Sequence, residues 1–274
     1  MTIKYSCLEY SNIVKRVLKN TISTLKKKPT LVVIQIDNYV ASSSYINGKR
    51  KDCEEVGIRF EHVKIDSEKY SQNDLCGIIK AFNRDELVHG IIIQLPIPKK
   101  YNIEELQKYI STEKDVDGFR KDSYHEPCTP KGIIKWLGYN DYDFCGKDVT
   151  VIGRSKIVGK PLVNMLIDRG ATVTCCNSHS NCKKYTLFAD LVISAIGKPN
   201  HFTNYDFHDR CSVIVDVGIN RDENNKLCGD VDYDLVTHYL PDTYVTPVPN
   251  GAGRLTRITL LENVLDAYRL LEDE

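Results

Sequence analysis

Apolar residues in this chain alternate between helical spacing and short continuous runs. The first helix is predicted behind a capping box at Ser6–Glu9 and is marked by apolar residues near helical spacing: Leu8, Ile13, Val17, Leu18, Ile22 and Leu25. Short apolar runs, many of them rich in β-branched residues, predict strands at 31–36, 58–65, 90–95, 149–152, 171–176, 191–195 and 213–217. Helices are predicted between these strands, one of them ending at Gly57, and a last helix spans 255–271. This alternation predicts an α/β fold with largely parallel sheets.

One segment interrupts the alternation. Residues 114–130 are rich in charged residues, glycine and proline, which is typical of a linker or of a crossing between domains. A length of 274 residues allows one large domain or two ordinary ones. The segment therefore favours two domains.

Composition and charge exclude several function classes. The 37 basic residues balance the 37 acidic ones, so nucleic acid or an anionic membrane is not expected as the main partner. No apolar run reaches transmembrane length, and residues 1–6 lack the apolar stretch of a secretory signal. The ten cysteines form no C-x-x-C pair and no zinc-ligand pattern, which fits a reducing compartment. We interpret the chain as a cytoplasmic protein of the size of an enzyme.

Tyr45 and Lys49 are the first candidates for chemistry. A spacing of four residues puts both side chains on one face of the predicted helix. A phenol and an ammonium together can handle a proton or polarise a carbonyl. Taken alone, the pair is more typical of an exposed, lysine-rich helix with a half-buried tyrosine, because charged residues usually lie on solvated faces.

The second half contains a predicted strand, turn and helix start at 148–161. Such a turn offers backbone N–H groups to a phosphate, although the G-x-G-x-x-G pattern is absent. Asn177 and Ser178 follow the next strand, where a carboxylate would favour NAD through its ribose hydroxyls. With no carboxylate there and with Arg154 in the first turn, the sequence favours a 2′-phosphate and hence NADP.

Several short motifs, taken together and in order, carry a family resemblance. They are Ala41-Ser42 through Tyr45 and Lys49, 90–98 (GIIIQLPIP), 114–119 (KDVDGF), 127–132 (PCTPKG), 153–161 (GRSKIVGKP), 171–174 (ATVT), 229–232 (GDVD) and 246–249 (TPVP). Over nearly its whole length the chain resembles the bifunctional methylenetetrahydrofolate dehydrogenase/methenyltetrahydrofolate cyclohydrolase family.

The resemblance implies two reactions at one folate site. 5,10-methylenetetrahydrofolate is oxidised with NADP to the methenyl form, which water opens to 10-formyltetrahydrofolate. It also implies a folate-binding catalytic domain of residues 1–118 plus 252–274, to which the C-terminal helix returns. The resemblance further implies a Rossmann-like NADP-binding domain of residues 119–251, and it implies a homodimer. No metal is expected, because the cofactor carries the hydride chemistry.

The resemblance also assigns roles to individual residues. The catalytic set is Lys49 for proton transfer, Tyr45 for stacking on the folate, Gln94 for holding the lysine, and Asp117 for binding the pterin. The substrate-binding residues are expected to be Tyr45, Lys49, Gln94, Leu95, Asp117, Pro249 and Gly251. The cofactor-binding residues are expected to be Gly153, Arg154, Ser155, Val158, Gly159, Asn177, Ser178 and Ile219.

The chain departs from the family pattern at a few places. The crossing at 120–126 is short, and Asn177 stands where the family usually has histidine. Asn250, Arg254 and Leu255 replace a glycine, a proline and a methionine. We expect Asn250 to accept the positive φ of the glycine it replaces, and Arg254 either to meet the folate glutamate or to lie in solvent.

Two alternative functions stay open at this point. One is a monofunctional dehydrogenase, perhaps using NAD, and the retention of Lys49 argues against it. The other is a non-catalytic, nucleotide-binding regulator on the same fold. A complete set of Tyr45, Lys49, Gln94 and Asp117 argues against that reading.

Overall fold

The computed structural model describes residues 6–272, except for the side chains of Val40, Ala41 and Ser44. The elements follow in the order α1 (Cys7–Ser23), β1 (Thr30–Ile36), α2 (Val40–Val56), β2 (Arg59–Ile65), α3 (Gln72–Arg84), β3 (Gly90–Gln94), α4 (Ile103–Tyr109), α5 (Cys128–Tyr139), β4 (Asp148–Ile152), α6 (Gly159–Ile167), β5 (Thr172–Cys176), α7 (Lys183–Thr186), β6 (Leu191–Ser194), β7 (Val213–Asp216), β8 (Asn220–Arg221), β9 (Leu227–Cys228), α8 (Tyr233–Tyr239), β10 (Tyr244–Val245) and α9 (Ala252–Glu272). A 3₁₀ turn at Asn204–Asp206 precedes β7. Within residues 6–272, no helix combines the length and the apolar character needed to cross a membrane.

The described residues divide into two compact units. The first unit comprises Asn12–Cys128 and 257–272, and the second comprises 6–11 and Thr129–Thr256. Most of α9 therefore packs in the first unit, as the family resemblance implies for the last helix. The functional domain boundaries at 118 and 252 stay a prediction.

The first unit is built on a three-stranded parallel sheet of order β2–β1–β3. All seven residues of the central strand β1 are buried, because helices cover both of its faces. Leu31 and Val33 point to a core shared with α2 and α9. Val32 and Ile34 point to the opposite core, which α3 and α4 complete. The carboxyl ends of β1 and β3 then lie side by side.

The second unit contains a five-stranded parallel sheet of order β10–β7–β6–β4–β5. The register aligns Ile152 with both Cys176 and Ser194, and Ser194 with Asp216. The loops after β4, β5, β6 and β7 therefore leave the sheet at one common edge. In doubly wound sheets this carboxyl edge is where ligands bind.

The predicted fold class is confirmed, and each predicted strand is present. The helix α5 was missed, because Pro130 and Gly132 made its sequence resemble a linker. Proline is tolerated in the first helical turn, where its missing N–H has no partner to lose. The packing of Trp136, which is fully buried, stabilises the helix. The short elements α8, β8, β9 and β10 were also missed.

Candidate active site

Lys49 and Gln94 form the centre of the candidate site in the first unit. The helix α2 presents Lys49 to the carboxyl end of β3, where its ammonium donates to Oε1 of Gln94 at 3.2 Å. Both side chains are buried, at 5% and 9% exposure. The Gln94 amide donates in turn to the carbonyl of Leu95 at 2.8 Å, and the Ser42 hydroxyl donates to the same carbonyl at 3.3 Å. The ammonium is therefore held at a defined place.

Tyr45 lies one helical turn before Lys49, as the spacing predicts. The ammonium stands 5.2 Å from the centre of the Tyr45 ring, which is within the range of a cation–π contact. Burial, reinforced by the charge of Asp117, raises the pKa of the Tyr45 phenol above its ordinary value. The phenol therefore stays neutral at physiological pH, so it is available as a ring surface and hydrogen-bond donor rather than as a base.

Asp117 belongs electrostatically to the same site. Burial raises the pKa of this carboxyl, the charge of Lys49 opposes the rise, and Asp115 adds to it. A carboxylate with raised proton affinity is a strong acceptor for N–H groups. The predicted residues Lys49, Gln94, Leu95, Tyr45 and Asp117 are thus all in the first unit, and charge interactions link Asp117 to Lys49 and Tyr45.

The segment 114–118 shows why Asp117 stands where it does. Lys114 is buried and donates to three carbonyls at the C-terminal end of α3, with distances of 2.7–3.2 Å. Val116 is fully buried in the core. Gly118 has φ +70°, and a Cβ there would lie 2.6 Å from the backbone at 125–126. Asp117 is therefore held between two anchored neighbours.

The short crossing predicted at 120–126 contains no helix and is ordered by a few contacts. The backbone N–H of Arg120 donates to Asp115 at 2.9 Å, and its guanidinium donates to the carbonyls of Lys108 and, at 2.7 Å, of Ile110. Ser123 donates to the carbonyl of Asp115 at 3.1 Å. These bonds fix the chain directly after Asp117.

A buried ion cluster continues the same face of α2 beyond Lys49, and the sequence reasoning missed it. Asp52 pairs with Lys15 of α1 at 2.5 Å and with Nε of Arg257 of α9 at 3.0 Å. A Cβ at Gly48 would collide with a terminal nitrogen of Arg257. The glycine therefore makes the room that this guanidinium fills. Only the i, i+4 spacing of Gly48 and Asp52 signals this arrangement in the sequence.

The predicted phosphate turn of the second unit follows β4. Gly153 has φ +112°, and a Cβ there would collide with the carbonyl of Ala195. A Cβ at Gly159 would collide with the Gly153 carbonyl. The Ser155 hydroxyl accepts from the N–H groups of Val158 and Gly159 at 3.1 and 3.3 Å. These glycines permit a tight turn into α6, and the N–H groups of Val158 and Gly159 already have a partner.

The residues predicted to contact the adenosine lie at the same edge. Asn177 follows β5, and its side-chain oxygen accepts from the N–H of His179 and the hydroxyl of Ser180, both at 3.0 Å. Ser178 and Arg154 are exposed. Among the residues that the structure describes, Arg154 has no hydrogen-bond or ion-pair partner. The edge therefore offers an exposed cation and a hydroxyl on neighbouring loops.

The loop after β10 carries the remaining predicted residues. Pro249 is exposed, and a Cβ at Gly251 would collide with the carbonyl of Pro247. Asn250 has φ +84°, which confirms the expectation for this position. The Arg254 guanidinium donates to the Asn250 side chain at 2.8 and 3.1 Å, and the expected contact of Arg254 with the folate glutamate stays a prediction. These two departures from the family pattern thus bind each other.

Comparison with known proteins matches both halves of the chain to one family. Residues 6–117 match the model of the tetrahydrofolate dehydrogenase/cyclohydrolase catalytic domain, and residues 127–271 match that of its NAD(P)-binding domain. The bifunctional protein FolD of Bacillus anthracis is 41% identical over 265 residues, which cover 92% of this chain and 91% of that protein.

Two solved structures extend the match to three dimensions. The bifunctional FolD methylenetetrahydrofolate dehydrogenase/cyclohydrolase of Campylobacter jejuni is 36% identical with a TM-score of 0.91, covering 97% of this chain and 98% of that one. The dehydrogenase-cyclohydrolase (FolD) of Trypanosoma brucei, solved with NADP cofactor and an inhibitor, is 26% identical with a TM-score of 0.86, covering 96% and 95%.

Proposed function

This chain belongs to the tetrahydrofolate dehydrogenase/cyclohydrolase family, and we propose that Lys49, Tyr45, Gln94 and Asp117 carry its chemistry. The protein is a bifunctional enzyme of one-carbon folate interconversion. It oxidises 5,10-methylenetetrahydrofolate to the methenyl form with NADP and hydrolyses that product to 10-formyltetrahydrofolate. The observation that carries the assignment of residues is the buried ammonium of Lys49 on the Gln94 amide, beside the Tyr45 ring.

Lys49 handles the protons of the hydrolytic step. Addition of water to the methenyl carbon releases one proton, and opening of the ring requires a proton on the leaving nitrogen. A single amine can serve both events if it is held near the reacting carbon and is only partly solvated. The bond to Gln94 holds the Lys49 amine in place, and at 5% exposure Lys49 is only partly solvated.

Tyr45 and Asp117 bind and orient the folate. The neutral Tyr45 ring offers a face for stacking on an aromatic part of the substrate. The Asp117 carboxylate accepts hydrogen bonds from the N–H groups of the pterin, which fixes the ring orientation. Pro249 and Gly251, on the loop after β10, are proposed as further substrate contacts.

NADP, when bound, supplies the acceptor for the hydride. The carboxyl edge of the second unit suits this cofactor, because it brings together the Gly153 turn, the exposed Arg154 and the hydroxyl of Ser178. The guanidinium of Arg154 and the absence of a carboxylate at Asn177 favour a 2′-phosphate. Ser155, Val158, Gly159 and Ile219, all close to the carboxyl edge of this sheet, are proposed to complete the set.

One assay tests these roles together. Purified protein is given methylenetetrahydrofolate with NADP or with NAD, and absorbance follows the formation and decay of the methenyl product. We expect NADP-dependent formation followed by hydrolysis. Formation without hydrolysis would indicate a monofunctional dehydrogenase, and reduction of neither cofactor would favour a non-catalytic regulator.

We further propose a cytoplasmic homodimer. The ten cysteines, all within the described residues, form no disulfide, which suits a reducing compartment. The dimer rests on the family resemblance. Light scattering of the purified protein tests it, with a mass of twice 31.2 kDa as the expected result.

A further inference from the structure

Two buried aspartates lie at the carboxyl edge of the second unit, outside the residues assigned so far. Asp216 ends β7 and is 2% exposed, and Asp230 lies between β9 and α8 and is fully buried. Burying a carboxylate is unfavourable unless hydrogen bonds replace its hydration. The neighbours of these two carboxylates must therefore supply such hydrogen bonds.

Asp216 binds the backbone of two separate segments. Its carboxylate accepts from the N–H groups of Gly218, Asp230 and Val231 at 2.8, 3.0 and 2.8 Å. Burial raises the pKa of Asp216 to about 6, so the group is still an ionised acceptor at neutral pH. Asp216 thus joins the loop after β7 to the segment that carries Asp230.

Asp230 binds two further loops. One carboxylate oxygen accepts from the Ser194 hydroxyl at 2.9 Å and from the N–H of Ile196 at 2.7 Å. The other accepts from the N–H of Lys198 at 2.9 Å and from the Asn220 side-chain amide at 3.0 Å. Four donors on two oxygens hold the loop after β6 and the loop after β7 to one carboxylate.

The two glycines beside these carboxylates confirm how closely the loops approach. A Cβ at Gly218 would collide with the Asp230 carboxylate, and a Cβ at Gly229 would collide with the Asp216 carboxylate. No other residue type fits at either place without moving a carboxylate. The loop after β7 is consequently fixed on both sides of residue 219.

Ile219 is the side chain that this arrangement presents. It lies between Gly218 and Asn220, and it is 59% exposed although it is large and apolar. A backbone fixed by two buried charges is a costly support for an isoleucine whose side chain is mostly exposed to water, with Gly253 beside it. A ligand at the carboxyl edge is what gives such a side chain a partner.

The sheet order indicates which part of the ligand would contact Ile219. The loop after β5 carries the proposed ribose contacts Asn177 and Ser178, and the turn after β4 carries the proposed pyrophosphate contact Gly153. The strand β7 lies three positions from β5, which is about 14 Å at the usual strand spacing. That distance suits the other end of a dinucleotide, its nicotinamide.

We infer that Asp230, supported by Asp216, is a positioning residue that holds Ile219 against the nicotinamide ring of NADP(H). This inference rests on the proposed function. Asp230 touches neither cofactor nor substrate in this account, and it acts only through the loop 217–220. The proposed catalytic residues of the hydrolytic step, Lys49, Tyr45, Gln94 and Asp117, lie in the other unit and are not expected to depend on it.

A double-mutant cycle tests the inference with NADPH as the probe. Asp230→Asn keeps the shape of the side chain but turns an NH₂ toward two of its four donors. We expect the Kd of NADPH, measured by fluorescence titration, to rise at least tenfold. In an Ile219→Ala background the same substitution should change the Kd less than threefold, because the side chain it positions is gone.

Three controls separate positioning from loss of fold. Asp232→Asn makes the same change of charge two residues away, at the N-cap of α8, where asparagine caps equally well, and should leave the Kd unchanged. Cyclohydrolase activity of Asp230→Asn should stay within twofold of the wild type. In the protein without cofactor, amide hydrogen exchange at 217–220 should be faster in Asp230→Asn.

The outcomes are distinct. An unchanged Kd in Asp230→Asn, an equal loss with and without Ile219, or a parallel loss of cyclohydrolase activity would each overturn the inference. If Asp230→Asn does not fold, Asn220→Ala removes a single bond to Asp230, and the same cycle applies with an expected threefold or larger effect. If the wild-type protein does not bind NADPH, the proposed function itself fails.

Discussion

Replacement of Gln94 by alanine tests whether the position of the Lys49 ammonium matters for hydrolysis. The substitution removes the acceptor at 3.2 Å and leaves a buried ammonium without that partner. The carbonyl of Leu95 loses its bond from Gln94 but keeps the one from Ser42 at 3.3 Å. The backbone around the site is therefore expected to persist while the lysine becomes mobile.

The magnitude follows from the kind of bond that is lost. A hydrogen bond to a charged group contributes about 1.5–3 kcal/mol. If that energy holds the amine in its reactive position, cyclohydrolase kcat should fall about 10- to 150-fold. Dehydrogenase activity should fall less, because hydride transfer needs no proton from Lys49.

The assay is the decay of methenyltetrahydrofolate absorbance, with dehydrogenase activity measured on the same sample. Gln35→Ala is the matched control, since Gln35 is buried in β1 directly beside Gln94 and bonds His62 instead. It should leave cyclohydrolase activity within twofold. Wild-type hydrolysis by a folded Gln94→Ala variant would refute the positioning role.

Two further predictions concern neighbours of this site. Burial raises the pKa of Asp117 above the ordinary 3.8, so the carboxylate takes up its proton at a higher pH than an exposed aspartate does. KM for the folate should therefore rise as the pH falls, beginning above the pH at which an ordinary aspartate is protonated. Asp117→Asn should raise KM about 10- to 100-fold and abolish this pH dependence, and a pH-dependent KM in the variant would contradict the role. Gly48→Ala should lower the free energy of unfolding by about 1–2 kcal/mol in urea denaturation, because the new Cβ displaces Arg257 from Asp52. Alanine normally stabilises a helix by about 1 kcal/mol relative to glycine, so the expected sign is the opposite of the usual one. In an Arg257→Ala background Gly48→Ala should stabilise the protein, and stabilisation in both backgrounds would exclude the contact.

The sheets were predictable because their signal is local. The strand β1 is a continuous apolar run, and all seven of its residues are buried between two layers of helices. The helix α5 carries a misleading local signal, since Pro130 and Gly132 are typical of loops. The burial of Trp136 stabilises α5, and its ring lies 5.9 Å from that of Tyr244. A local window around α5 does not contain a residue this distant in sequence.

The features of the candidate site likewise fall into those that local spacing predicts and those that depend on contacts between distant residues. The stripe of Tyr45 and Lys49 follows from the period of a helix, so spacing alone predicts it. The bond between Lys49 and Gln94 joins residues 45 positions apart, and only the family resemblance suggested it. The bond between Ser194 and Asp230 spans 36 positions, and no pattern in the chain indicated it. Contacts of this kind depend on which loops the sheet order brings to one edge.

The central claim is that Lys49 carries the proton steps of hydrolysis. Lys49→Met keeps the length and most of the volume of the side chain but removes the amine. General acid–base catalysis contributes about 10²- to 10⁴-fold, so the variant should lose at least about 100-fold in the hydrolysis of methenyltetrahydrofolate while it still forms that product with NADP. Hydrolysis at the wild-type rate by folded Lys49→Met protein would contradict the account.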